Sequence, residues 1–305
     1  YSPIAPPAYR PRMDIKQALT FATTKLKKAK ISSALLDAEL ILCFVLKKSK
    51  EFIFTYPEKK LTAKQTEKFR QLVAKRSKYL PVAYITNQKS FFGLDFFVNQ
   101  NVLIPRPETE TLVEEVLKVT SHPVAQSPSP LVIDVGTGSG CIIVSLAKNI
   151  SNAQFFACEK STKALTVAKK NAKNHKVLHR IKFLSGNLIE PILKSKKIKP
   201  TDEIILTANL PYGWRAWKNN NSVDTFGLKF EPAMALFTGN DGLELYERLL
   251  HQLKLLPNKI TAFFEFDPRQ TNKLKKLIKK NLPEAQIEII RDLCGQNRIA
   301  KITIY

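Results

Sequence analysis

The sequence predicts an α/β protein: a doubly wound sheet preceded by a small N-terminal helical domain. Three observations predict it. From residue 131 onward, short apolar runs alternate with stretches of helical periodicity. The first run leads into Asp134-Val135-Gly136-Thr137-Gly138-Ser139-Gly140, a glycine-rich turn that opens onto a helix. Residues 13–80, by contrast, repeat their apolar side chains at helical spacing.

In the first segment, Ile15, Ala18, Leu19, Ala22 and Leu26 mark one helix. Leu35, Ala38, Leu42, Val45 and Leu46 mark a second, with Ser32-Ser33 as its N-cap. A third runs over 62–76 with Phe69, Leu72 and Val73 inward. Pro81 ends the helical region, and 91–98 alternates around Gly93 like a short β-hairpin. Pro105 and Pro107 then stiffen the approach to a helix whose first turn carries Glu108 and Glu110, the charge its dipole prefers. Residues 121–130, with three prolines and three serines, read as a loop. Beyond it, strands are expected at 131–135, 155–158, 181–184, 204–208 and 261–266, with an antiparallel pair at 287–290 and 299–304. Helices are expected at 142–148, 162–174 and 242–256.

The totals narrow the function. At 305 residues there is room for two domains and a large core. No apolar run reaches the roughly 18 residues of a membrane span. The net charge of +23 suits an acidic or polyanionic partner, or a set of solvated lysine faces. Residues 13–80 carry 16 basic and 6 acidic side chains and no catalytic constellation, as expected of a docking unit. Cys43, Cys141, Cys158 and Cys294 lack paired spacing, which implies reduced thiols in a cytoplasm and no zinc site. His175 and His179 lie four apart without an intervening carboxylate and read as a surface pair, so no metal is expected. Residues 1–12 hold four prolines and read as a leader or scar ahead of Met13.

The chemistry concentrates in two places. The glycines at 136, 138 and 140 let a ligand approach the backbone at a helix N-terminus. Their Gly-x-Gly-x-Gly spacing departs from the dinucleotide pattern, which argues against NAD. Glu159 ends the next strand 19 residues after Gly140, placed to accept both hydroxyls of a ribose. The other place is the corner Asn209-Leu210-Pro211-Tyr212 after an apolar strand. Pro211 cannot continue a ladder and biases Leu210 to an extended backbone. The corner offers a carboxamide, carbonyls and an aromatic face, a geometry suited to a planar N–H₂ group. Asn, Pro and Gly are also ordinary turn residues.

The chain resembles the protein-glutamine N5-methyltransferases that modify peptide-chain release factors, the HemK/PrmC family. Besides the two places above, the resemblance rests on Leu35-Leu36-Asp37-Ala38-Glu39-Leu40, Pro81-Val82-Ala83-Tyr84-Ile85, residues 91–98 and Ile104-Pro105-Arg106-Pro107-Glu108-Thr109-Glu110. It extends through Glu231-Pro232-Ala233-Met234-Ala235-Leu236, Gly239-Asn240-Asp241-Gly242-Leu243 and residues 292–298. The resemblance implies a class I, Rossmann-like methyltransferase sheet with S-adenosyl-L-methionine as cofactor. It implies that Asp134, Gly136, Thr137, Gly138, Ser139 and Gly140 hold the methionine and ribose part, Glu159 the ribose hydroxyls, and Asn187-Leu188 the adenine. Asn209, also beside the cofactor, would orient the substrate amide with Leu210, Pro211 and Tyr212, the last against the amide plane. Pro105, Arg106, Glu108 and Thr109 complete the expected substrate site. The family usually reads Asn-Pro-Pro-Tyr and has an aspartate where Asn187 stands. Trp214 to residue 221 matches nothing recognisable and reads as a lid.

The expected organisation is a leader at 1–12, a helical docking domain at 13–84, a hairpin connector at 85–110 and the methyltransferase domain at 111–305. The expected reaction is methyl transfer to the glutamine of a Gly-Gly-Gln segment by a cytoplasmic monomer. Its partner is a release factor; nucleic acid is allowed but not required, and no membrane is involved. The alternative, to which Leu210 and the charge point, is an adenine-N6 methyltransferase acting on RNA or DNA. A non-enzymatic RNA-binding module would leave Glu159 and Asn209 without a role.

Overall fold

The structure, a computed structural model, describes residues 12–121, 130–195, 198–199, 202–214 and 226–305. The expected leader up to residue 11, the loop over 122–129 and the stretch 215–221 lie outside the described residues. The chain divides into two compact units: Tyr1–Asn87 with Asn221–Phe230, and Gln88–Asn220 with Glu231–Tyr305.

The first unit is helical. Helix α1 (Ile15–Lys28) starts at Asp14, whose carboxylate accepts from the Gln17 N–H while the Gln17 side chain accepts from the Asp14 N–H. Thr62 and Gln65 repeat this box at the start of α4 (Ala63–Arg76). Helix α2 (Ala34–Leu46) is apolar nearly all round. Its Ala38, Ile41, Leu42 and Val45 join Ala18, Ala22 and Leu26 of α1 and Phe69 and Val73 of α4 in one core. Asp37 and Glu39 are buried on α2, and accept from Arg76 Nε at 2.6 Å and Lys50 Nζ at 2.7 Å. Leu35, Leu36 and Leu40 face outward. Two short helices, α3 (Lys50–Thr55) and α5 (Val82–Thr86), escape sequence reading because one turn and a half shows no period.

The second unit is a seven-stranded sheet in the order β5-β4-β3-β6-β7-β9-β8. Strands β3 (Leu131–Val135), β4 (Gln154–Glu159), β5 (Ile181–Ser185), β6 (Ile204–Ala208) and β7 (Ile260–Glu265) run parallel. Strands β8 (Gln286–Arg291) and β9 (Asn297–Ile304) complete it antiparallel. Helices α6 (Glu110–Ser121), α7 (Cys141–Asn149) and α8 (Thr162–Asn174) pack against one face, over Val132, Phe155, Ile205 and Phe263. The helices Glu244–Leu253 and Thr271–Asn281, with α9 (Glu190–Ser195), pack against the other, over Ile133, Leu206, Ala262 and Phe264. The sheet is therefore doubly wound, as the alternation predicts. The observed helix Glu244–Leu253 is shorter at both ends than the expected 242–256.

The hairpin lies upstream of its expected register. Strands β1 (Gln88–Phe91) and β2 (Leu94–Phe97) are joined by Phe92 and Gly93, both at positive φ, which is the two-residue turn that matches strand twist. Nor is it a connector. Phe91 and Phe96 are buried in the core of the second unit, and the Asn171 carboxamide of α8 pairs with both backbone groups of Phe97.

Candidate active site

Three strand ends converge where the strand order reverses: β3 at Val135, β4 at Glu159 and β6 at Ala208. Open α/β sheets form their ligand crevice at such a point. A cavity opens there, walled by the glycine turn, Cys158 and Glu159, residues 186–188, Asn209 to Pro211 and the segment carrying Pro105, Arg106 and Thr109.

Gly136, Gly138 and Gly140 all take positive φ, at 72°, 53° and 80°. Four N–H groups of the loop are already taken, fewer being left for a ligand than expected. Those of Gly136 and Thr137 donate to the Cys158 carbonyl, that of Gly138 to Glu159 Oε2 and that of Gly140 to the Thr137 carbonyl. What the loop presents is bare backbone: a Cβ on Gly138 would find nothing nearer than the Gly136 carbonyl at 3.8 Å. Gly140 lies outside the cavity wall, because it packs against Ala168 of α8.

Asp134 also stands behind the wall. It is buried, and its two oxygens accept from the Thr137 and Thr207 hydroxyls at 2.5 and 2.8 Å. Burial raises its pKa to about 6, and the two hydroxyls limit the rise. The carboxylate thus shapes the loop from beneath and has no reach to a ligand. Thr137 and Ser139 remain in the wall.

Glu159 does line the cavity. Its oxygens accept from the Gly138 and Ser161 N–H groups at 2.9 and 2.8 Å, which fixes the carboxylate and leaves lone pairs on both oxygens. A fixed pair of acceptors fits a vicinal diol. At the opposite wall, Leu188 takes a positive φ of 51°. The Asn187 Nδ2 donates to Glu190 Oε1, so Oδ1 is the carboxamide end left to accept, as an aspartate there would. Bare glycine backbone, a fixed carboxylate, a slot with Ile142, Ala164 and Leu188, and an acceptor at its end fit an adenosyl cofactor.

At the third strand end, Asn209 Nδ2 donates to Thr109 Oγ1 at 3.0 Å. Asn209 Oδ1 takes no hydrogen bond among the described residues, and neither does the Pro211 carbonyl. Leu210 is buried; its N–H donates to the Tyr246 hydroxyl and its side chain covers Gly136. A proline at 210 would lack that N–H. Pro105, Arg106 and Thr109 reach the cavity, with Arg106 paired to buried Glu231 at 2.6 Å. Glu108 is exposed and outside the wall. Tyr212 is outside it too. Its hydroxyl is drawn inward to donate to Glu265 Oε1, and its carbonyl accepts from Gln270 Nε2.

Sequence reading missed Glu265, Tyr246 and Gln270. An acid closing an apolar strand singles out Asp134 and Glu159, and Glu265 carries the same signature after Ala262-Phe263-Phe264. Among the described residues no group of His, Cys, Asp and Glu could hold a metal ion. His175 Nε2 is bonded to the Asp95 carbonyl. Among those residues no helix is long and apolar enough to cross a membrane. All four cysteines are unbridged, and burial raises the Cys141 and Cys158 thiols to about 12.

Comparison with known proteins agrees with this geometry. A family profile described as the PrmC N-terminal domain matches residues 17–86, and one described as a methyltransferase domain matches 127–225. A release factor glutamine methyltransferase of Dictyoglomus turgidum is 34% identical over 290 residues, 94% of this chain and 98% of its own length. The chain belongs to the release factor glutamine methyltransferase family. The relative from Rhodopirellula baltica is 32% identical, covering 93% of the chain and 94% of its own length. A bifunctional methyltransferase of Rickettsia conorii is 35% identical over 80% of the chain, which spans 49% of that protein. Among solved structures, the hMettl16 catalytic domain in complex with MAT2A 3'UTR hairpin 6 superposes with a TM-score of 0.53 at 18% identity. It covers 73% of this chain and 79% of its own, a likeness of fold.

For a release factor glutamine methyltransferase, Glu159 is the residue on which cofactor affinity should depend most directly. Glu159→Ala removes two acceptors and strands the Gly138 and Ser161 N–H groups. The expected loss is about 1.5–3 kcal/mol of cofactor binding. Calorimetry on the purified variant checks it, and unchanged affinity refutes the ribose role.

Proposed function

We propose that this chain transfers a methyl group from S-adenosylmethionine to the side-chain amide nitrogen of the glutamine in a Gly-Gly-Gln segment of a peptide-chain release factor. The observation that carries the reading is the Asn209 carboxamide. With Nδ2 held by Thr109, Oδ1 is the end available to a substrate, beside the unused Pro211 carbonyl. An amide nitrogen is a poor nucleophile because its lone pair is delocalised. Two acceptors on its two hydrogens orient it and favour the charge that builds as it turns tetrahedral. The bound cofactor supplies a methyl on a sulfonium centre. The residues' part would be to aim the nitrogen at that methyl: Asn209 Oδ1 and the Pro211 carbonyl would each accept one of its hydrogens, and the proton lost on methylation would pass to water.

Leu210 no longer favours an adenine substrate. Its side chain packs on Gly136 and its N–H is held by Tyr246, so the departure from proline is absorbed by the scaffold. Incubation with S-adenosylmethionine, release factor and total RNA, followed by mass spectrometry of both, tests the reading. One added methyl on the glutamine is expected; methyl on RNA alone overturns it.

The helical unit supports a docking role. Asp37 and Glu39 of α2 hold that helix to its neighbours, which leaves Leu35, Leu36 and Leu40 outward at 53, 47 and 38% exposure. Lys47 and Lys48 follow directly in the chain and are exposed, so the surface suits a partner both apolar and acidic. Leu36→Lys with Leu40→Lys should raise KM for intact release factor about tenfold with little change in kcat. Steady-state kinetics checks it; an unchanged KM excludes this face.

A further inference from the structure

Glu231 is buried, its side chain only 2% exposed, and both its oxygens are bonded. Oε2 accepts from the Ile104 N–H at 3.0 Å, and Oε1 accepts from Arg106 Nη2 at 2.6 Å. Both donors belong to the stretch that brings Pro105, Arg106 and Thr109 to the cavity, and Thr109 holds Asn209. Glu231 itself leads through Pro232 into the short helix Ala233–Leu236, and Met234, Ala235 and Phe237 form another part of the wall. That part is tied to the same corner: the Gly213 N–H donates to the Leu236 carbonyl at 2.8 Å, and the Thr238 N–H to the Gly213 carbonyl at 3.0 Å. One buried carboxylate therefore clamps together the two walls that are bonded to the Asn209 corner.

The clamp also fixes a charge. Arg106 lines the cavity with its side chain 30% exposed. One edge of its guanidinium is taken by Glu231, and its other N–H groups have no partner among the described residues. The remaining cations of the wall, Lys160 and Arg248, stand beside Glu159 and on the helix Glu244–Leu253. Arg106 is thus the cation next to the proposed acceptors, and it arrives with its charge already balanced.

We propose that Glu231 is a specificity-determining residue: by neutralising Arg106 it admits the peptide carbonyls that flank a substrate glutamine and turns away the phosphates that flank a nucleotide. This rests on the reading of Asn209 and Pro211 as acceptors for an amide N–H₂. A flipped adenine presents the same two hydrogens, so those acceptors alone do not tell the two substrates apart. What differs is the attached chain. A peptide carbonyl is neutral and needs one N–H donor, which the free side of Arg106 offers. A phosphodiester carries a full negative charge and needs an unpaired cation. At Arg106 it meets a guanidinium already matched by a buried carboxylate, and that carboxylate repels it. Specificity of this kind comes from a repulsive element set against the wrong partner. The chain as a whole carries +23 and attracts polyanions, so discrimination against them falls to the site itself.

The test follows the Arg106 Nε–H resonance in the ¹⁵N-labelled full chain, assigned by its loss in Arg106→Lys. S-adenosylhomocysteine is kept saturating to fill the cofactor half, and the trinucleotide ApApA is added. In the unaltered protein the signal should stay in place at concentrations that saturate Glu231→Gln, a difference of about tenfold or more in affinity. The response in Glu231→Gln, which keeps the volume and loses the charge, should fade as salt is raised. Glu231→Asp keeps the charge and loses reach. It should raise KM for release factor yet still exclude ApApA, which separates the charge from the clamp. Three results overturn the proposal: a signal that moves in the unaltered protein, equal responses in the Gln and Asp variants, or none in a Glu231→Gln protein whose melting curve shows it folded. The first needs no variant to fold. If release factor stays unmethylated while Glu231→Gln alone admits ApApA, the proposed reaction fails and the role of Glu231 stands.

Discussion

Asn209→Ala is expected to lower single-turnover methyl transfer by about 10²–10³, or roughly 2.7–4 kcal/mol, with little change in melting temperature. The loss is that of one oriented acceptor at the substrate nitrogen. The side chain removed makes one hydrogen bond, to Thr109, so the fold loses little. Asn209→Asp is a sharper probe. It keeps an acceptor and the volume but has no N–H₂ to offer Thr109, whose hydroxyl can turn to donate to the new carboxylate. It also sets a negative charge beside the cofactor's sulfonium, so cofactor binding should tighten while transfer slows. The decisive comparison pairs transfer rates with melting curves. A near-normal rate in a less stable Asn209→Ala protein would return this corner to an ordinary turn.

Gly242→Ala should damage the fold itself. Gly242 has a φ of 79°, a region an alanine enters at a cost of about 1–2 kcal/mol. A Cβ there would stand 2.1 Å from the Tyr212 carbonyl oxygen and 2.6 Å from Gln270 Nε2. Those two atoms form the hydrogen bond that pins the corner after β6; the first is backbone, and the second is a side-chain end held by the Tyr212 and Asp241 carbonyls. Adding overpacking of about 1–3 kcal/mol gives a total of about 2–5 kcal/mol. The melting temperature of the sheet unit should fall by about 5–15 °C. Because the displaced carbonyl follows directly on Pro211, the surviving folded molecules should also turn over slowly. An unchanged melting curve would mean that the corner is more pliant than its hydrogen bonds imply.

These two positions mark the limit of what the sequence alone discloses. The sheet was readable because every strand is an apolar run of β length and each helix between strands carries its own period. Glu159 was readable because a charged residue after an apolar strand has few reasons to be there. The settings of Asn209 and Tyr212 were not: Thr109 and Asn209 are 100 residues apart, Tyr212 and Glu265 are 53 apart, and neither spacing has a period. The glycine turn misled in a different way. Its spacing correctly announced a close backbone approach, but the occupants of its N–H groups, the Cys158 carbonyl and Glu159, come from the neighbouring strand. Tyr212 misled because an exposed-looking aromatic after a proline gives no hint of a buried acid on the next strand.

The placement of β9 bears on how the protein is made. This strand sits between β7 and β8 although it follows both in the chain. A ribosome that has translated through residue 296 has delivered six of the seven strands, with a gap between them. Until residues 297–304 emerge, one edge of β7 offers a row of unpaired backbone groups, next to an apolar run of Ala262, Phe263 and Phe264. Vectorial synthesis, at a few residues per second, thus leaves the nascent sheet open beside its edge strand until β9 emerges. The half of the sheet bearing Asp134, Glu159 and Asn209 can close early, but Glu265 gains its cover only when the final strand slides in.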